Sequence, residues 1–276
     1  MMDALLSFTM LATTVRMAVP YACAAMGGVV GERSGVVNIA LEGILLLSGF
    51  AAVAAHVASG SAVVGLLVGL GAGAAVGLIH GVLTLVVRID AIVAGVALNL
   101  AAAGGTRVLL RALFDSSSNS PKVEGFALEA LRGGGMRALA RACLEPPTLL
   151  TVAAAVGLPW LLAQTRFGLR LRASGEAPRV AAGAGIPATR VRLAALALGG
   201  ALAGLGGVGM AFDQHQFQAG MSGGRGFLAL AAVILSGWRP AAAVGLSLGF
   251  AALDALQIVL QGSPWAPAGV LSSLPF

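Results

Sequence analysis

Two short stretches place ionisable groups where the chain is otherwise apolar. Gly31–Gly43, reading GERSGVVNIALEG, carries Glu32, Arg33, Asn38 and Glu42 between long hydrophobic runs. Further on, Asn99 sits in an apolar run, and Arg225 and Phe227 stand in the glycine-rich stretch GGRGF. Charged groups at membrane depth cost about 3 kcal/mol or more each, so they face a bundle interior or a water-filled cavity. What they can do there is recognition, either of a polar solute or of backbone amides freed where a helix breaks. Asn38 and Glu42, spaced i, i+4, would share one helix face. For Glu42 two readings stand side by side: it bonds freed amides while Glu32 and Arg33 pair in a short loop, or it touches a solute. Asn99 is an interhelical hydrogen bond or a ligand contact. Arg225 stands next to a helix start at Gly226-Phe227, whose N-terminus carries partial positive charge, and it either receives a polar or anionic group or marks the outer membrane boundary. Asp254 and Gln257, one turn apart, are expected to bond to each other.

Covalent chemistry finds no such support. His56, His80 and His215 are far apart without ligand spacing, so no metal site is expected. The only lysine, Lys122, follows Pro121, which rules out a glycine-rich phosphate loop ending in Gly-Lys. No Ser-His-Asp or Cys-His pattern stands out, and Cys23 and Cys143 form no framework. The chain is expected to be no enzyme and to hold no cofactor.

These residues are carried by membrane helices. Of 276 residues 58% are hydrophobic, and apolar runs near twenty residues recur, which predicts an all-α, polytopic transmembrane bundle with broken or re-entrant helices. The predicted spans are 5–30, 36–57, 62–87, 91–114, 147–163 and 191–212, with a last pair at 226–237 and 241–260. The segment 226–237 is too short to cross, since twelve helical residues rise about 18 Å. Gly65, Gly69, Gly73 and Gly77 form a ridge that lets helices approach closely. Residues 1–276 read as a single domain. Net charge is +6, and much of the excess lies in one connection: residues 166–192 hold six arginines against one acid, Glu176. Such loops stay cytoplasmic. The polar loop 115–146 is then extracytoplasmic.

The chain resembles the permease subunits of bacterial ABC importers of the branched-chain amino acid and simple sugar group, most closely the nucleoside-type branch. The matching segments run in order: GERSGVVNIALEG, RIDAIVAGVALNL at 88–100, SSSNSPKV at 116–123, the arginine-rich connection, ALAGLGG at 201–207 and GRGFLALAAVILSGWRP at 224–240. The resemblance implies a short cytoplasmic coupling helix centred on Gly175, Glu176, Ala177, Pro178 and Arg179, which docks an ATPase subunit. It also implies a second, related permease, an extracytoplasmic substrate-binding lipoprotein, ATP-Mg held by the ATPase, and residence in the bacterial cytoplasmic membrane without nucleic acid as partner. Asn38, Glu42, Asn99, Arg225 and Phe227 would border the solute path. Relatives carry a further apolar span after the position of Leu274-Pro275-Phe276, which suggests a missing C-terminal span. Two other classes compete: a proton-coupled secondary transporter using Glu42 or Asp254, and a non-transporting scaffold. Within the importers, a simple sugar or a branched-chain amino acid is the alternative cargo.

Overall fold

A computed structural model of the chain describes residues 8–126 and 135–260; the position of Leu274-Pro275-Phe276 lies outside them. The described residues form eleven helices and no strand. In chain order these are α1 (Phe8–Arg33), α2 (Leu41–Ser59), α3 (Ala62–Leu85), α4 (Ala91–Phe114), α5 (Met136–Leu144), α6 (Pro146–Gln164), α7 (Arg166–Glu176), α8 (Pro178–Gly183), α9 (Ala188–Asp213), α10 (Arg225–Leu235) and α11 (Pro240–Leu260). Six of them, α2, α3, α4, α6, α9 and α11, are long and apolar enough to cross a membrane.

The predicted first span, 5–30, is the 26-residue helix α1, but it is not among those six. Its polar and kinking residues, Thr13, Thr14, Arg16, Pro20 and Tyr21, are tolerable because the helix runs through the middle of the bundle. It packs against α9, α11, α10, α5 and α6. Hydropathy alone therefore undervalues it. The other central helix, α9, lies against α1, α2, α3, α6 and α7.

Central helices meet on glycine. A Cβ on Gly200 would stand 2.3 Å from the Gly73 carbonyl oxygen, and one on Gly77 2.3 Å from that of Leu196. The predicted ridge on α3 is thus the face that α9 occupies. Without a hydrophobic drive between helices in lipid, this close approach supplies the packing attraction. Outward faces are apolar, as at Leu67, Leu100, Val108 and Val156.

The described parts of the polar loop 115–146, residues 115–126 and 135–146, are more regular than its composition suggests. They contain α5, and the stretch 118–123 runs antiparallel to 215–219. Ser120 N–H donates to the Phe217 carbonyl (2.9 Å) and Val123 N–H to that of His215 (2.8 Å). The SSSNSPKV motif thereby braces the chain where it turns back after α9, and Phe217 is fully buried against Phe50.

Candidate functional site at the junction of two helix starts

Helix α1 ends at Arg33 and α2 does not begin until Leu41, so the predicted span 36–57 starts late. Gly35 takes φ +82°. The Asn38 side-chain oxygen then accepts the Ala40 N–H at 3.1 Å, a local bond that competes with helix. Asn38 consequently lies before the helix, and the expectation that it shares a helix face with Glu42 is overturned. It is fully buried, and its amide nitrogen has no hydrogen-bond partner. His80 of α3 steadies the break, its Nε2 donating to the Val37 carbonyl at 3.1 Å.

The start of α2 is completed by Asn99 of α4. Its Oδ1 accepts the Gly43 N–H at 2.8 Å and its Nδ2 donates to the Ile39 carbonyl at 2.9 Å. Both polar groups of Asn99 are thus engaged across helices, closing one of the free amides that every helix N-terminus leaves.

Glu42, in the first turn of α2, crosses to α10. One carboxyl oxygen accepts from the Ser222 hydroxyl (2.5 Å) and the Gly224 N–H (2.8 Å); the other accepts from the Gly226 N–H (2.7 Å). The residue before α10, Gly224, has no side chain with which to cap, so a glutamate from another helix caps it instead. Two helix N-termini, each carrying roughly half a positive charge, therefore abut with one carboxyl group between them. A Cβ at Gly226 would lie 2.5 Å from the Glu42 backbone nitrogen, so only glycine lets the two helices come this close. Of the two readings for Glu42, the bonds to freed amides are present.

Arg225, first residue of α10, faces inward. Its guanidinium lies 3.3 Å from Asp254 Oδ2, donates to the Met221 carbonyl at 3.1 Å, and sits over the Tyr21 ring at 5.9 Å. The Tyr21 hydroxyl donates to the same Asp254 oxygen at 2.8 Å. Asp254 is thus bonded to α1 and α10, and not to Gln257 as its spacing suggested, because the cation arrives from another helix. Phe227, two residues on and so turned to the other side of the helix, is about half exposed and joins none of these bonds. The structure gathers Asn38, Glu42, Asn99 and Arg225 around one broken-helix junction; Phe227 stands at its edge. Tyr21, Ser222 and Asp254 escaped sequence reasoning as members of the cluster. Serine beside a glycine run and an acid in the last span were the available signals.

The far end of α10 is fastened too. Glu32 accepts the Trp238 indole N–H, and Arg33 Nε donates to the Trp238 carbonyl at 3.0 Å. The expected Glu32–Arg33 pair gives way to a clamp by both on Trp238, which the turn after α10 brings to the end of α1. Helix α10 has eleven residues, about 16 Å of rise, so the half-length prediction holds with bounds 225–235.

The arginine-rich connection folds as two helices. Residue Ala177, expected at the middle of one coupling helix, is a corner with φ −143° and ψ 71°, because Pro178 excludes the helical conformation from the residue before it. Gly175 abuts the end of α1: a Cβ there would lie 2.2 Å from the Arg33 carbonyl oxygen. Arg192 donates twice to the Ser174 carbonyl, at 3.1 and 2.6 Å. Glu176, Pro178 and Arg179 are exposed on the outer side of the corner.

A half-length helix is thus capped in mid-bundle beside a partly buried ion pair, with an exposed basic corner linked to the same break. Residues 10–275 match the family described as the branched-chain amino acid transport system permease component. The chain belongs to that family. The permease is 33% identical over 257 residues to the guanosine ABC transporter permease protein NupQ of Bacillus subtilis, covering 89% of this chain and 81% of that protein. It is 32% identical over 272 residues to the nucleoside ABC transporter permease protein NupC of Lactococcus lactis, covering 93% and 85%. It is therefore the permease component of an ABC transporter, a multi-pass protein of the bacterial cytoplasmic membrane.

Proposed function

We propose that this permease is the membrane-spanning subunit of an ATP-driven importer for nucleosides or a closely related sugar-bearing solute. The observation that carries the cargo assignment is that the relatives named for guanosine and nucleosides align over about nine-tenths of the chain. ATP-Mg is held by cytoplasmic ATPase subunits, a second related permease completes the pathway, and an extracytoplasmic lipoprotein delivers the solute.

The coupling runs through named residues. ATPase closure pushes on the exposed corner Glu176–Arg179. Gly175 has no side chain to yield, so the push passes to the Arg33 carbonyl and the turn at Gly35. That turn leads through Asn38 to Glu42, which holds the start of α10. Moving the break therefore moves the half-helix, alternating access around its N-terminal end. Asn38, Glu42, Asn99 and Arg225 shape that end, and the Phe227 ring is the surface on which a base stacks, worth about 1–3 kcal/mol.

Uptake of radiolabelled guanosine, ribose and leucine into cells carrying the complete transporter tests this reading. Guanosine uptake that needs ATP and survives collapse of the proton gradient supports it. Phe227→Ala then lowers guanosine uptake more than expression, and Glu176→Ala with Arg179→Ala leaves ATP hydrolysis running without transport. Uptake that follows the proton gradient without ATP, or leucine in place of guanosine, overturns it.

A further inference from the structure

At the arginine-rich end a half-open cleft of about 160 Å³ is lined by Arg33, Pro159, Leu162, Ala163, Arg172 and Pro240. The end of α1, the last turns of α6, the helix α7 and the start of α11 each contribute a wall. Apart from two guanidinium groups the lining is apolar, and no acidic residue takes part. Arg33 uses its Nε on the Trp238 carbonyl. Arg172 has its Nε buried with no hydrogen-bond partner, and neither arginine belongs to an ion pair among the described residues. That nitrogen is enclosed, so what Arg172 offers the cleft is the uncompensated charge of its guanidinium. Nearby acids do not balance it: Glu32 is turned to the Trp238 indole, and Glu176 stands exposed at the end of α7.

Depth narrows the class of ligand. Trp160, next to Pro159, is 63% exposed, and Trp238, close to Pro240, is 47% exposed. Exposed tryptophans gather where hydrocarbon meets headgroups. The cleft therefore opens at headgroup level, with helix flanks below it, where a basic pocket at the membrane surface can meet an anionic headgroup. A soluble phosphate or a partner's carboxylate would satisfy the arginines but would leave the apolar walls without a purpose.

We propose that this cleft binds one anionic glycerophospholipid. Its phosphodiester is held by Arg33 and Arg172, and an acyl chain lies along Pro159, Leu162 and Pro240. The lipid bridges the end of α1 to α7, the two elements that meet at the coupling corner, so membrane charge bears on how firmly that corner is held. The assignment rests on the cytoplasmic placement of the arginine-rich end proposed above.

The test is native mass spectrometry of the detergent-extracted, delipidated complex after incubation with phosphatidylglycerol, phosphatidylcholine or glycerol 3-phosphate. Phosphatidylglycerol is expected to be retained in preference to phosphatidylcholine and not to be displaced by glycerol 3-phosphate. Retention should fall about fivefold in Arg172→Gln and further in the Arg33→Gln, Arg172→Gln double variant. Arg190→Gln, which removes an exposed arginine outside the cleft, should retain as the wild type does. Equal retention of the two lipids, unchanged retention in Arg172→Gln, an equal fall in Arg190→Gln, or displacement by glycerol 3-phosphate would each overturn the site. Because Arg33 also holds Trp238, Arg172→Gln decides the matter where the double variant fails to assemble. The readout needs no uptake, so a failed nucleoside assay leaves this result standing, and the reverse also holds.

Discussion

Glu42 shows how one side chain can settle where a helix begins. It accepts from a hydroxyl and two backbone amides that would otherwise lie buried without partners, in a region where water cannot replace it. Glu42→Gln substitutes a donor for one of those acceptors and should lower stability by about 1–3 kcal/mol, with Glu42→Ala worse. Thermal unfolding of the purified protein measures it; an unchanged midpoint in both variants would show that α10 is held otherwise. A second carboxyl group, Glu145 at the start of α6, offers a pH test. Burial holds its pKa above the usual carboxylate value, the nearby charge of Asp213 adds to this, and Arg141 and Arg16 oppose it. The folded state therefore favours the protonated form. Its contribution to stability is fully present below the ordinary carboxylate pKa and is lost as pH rises through the raised one. Glu145→Gln removes that loss, so its melting temperature should change less between pH 5 and pH 8 than the wild type's. An equal slope in both proteins would place the pH dependence elsewhere.

Elements here are defined by how closely their backbones may approach. Gly226 is the narrowest point between α10 and α2, and Gly226→Ala would put a methyl group 2.5 Å from the Glu42 nitrogen. It should displace the half-helix, with a loss of several kcal/mol or misassembly of the kind overpacking causes. Gly71→Ala on α3, which meets nothing within 4 Å, should be tolerated and sits in a good helix position. Comparing the two by size-exclusion profile and by uptake separates a packing requirement from glycine content in general. The long spans were legible because their apolar runs match the bilayer thickness. The break at 34–40 was not, because Asn38 and His80 hold it through contacts with no sequence period. In the arginine-rich connection one coupling helix was expected to run through Pro178, whereas Pro178 divides the segment into two helices.

For the whole molecule, the even alternation of six crossing helices with α1 puts the arginine-rich corner at one end and the loop 115–146 at the other. Labelling with an impermeant maleimide tests which end faces out. Cys143 is exposed and should react in intact cells, whereas the fully buried Cys23 should not. Ser174 is itself buried, so the corner is better probed through Val180→Cys, at a position 72% exposed. That variant should gain label only after permeabilisation. The opposite pattern would invert the molecule and remove the basis for placing an ATPase at the corner.

Sequence by itself determined that this chain is a helical membrane protein, which half-helix fails to cross, and which end is basic. Those properties depend on composition over windows as long as the bilayer is thick, or on charge totals within one loop. Tertiary structure alone decided that Glu42 caps α10, that Asp254 pairs with Arg225 and Tyr21, and that Trp238 is clamped by Glu32 and Arg33. Each joins residues at least 29 positions apart, and each demands a partner carried by a different element. That demand exists only once the helices have packed.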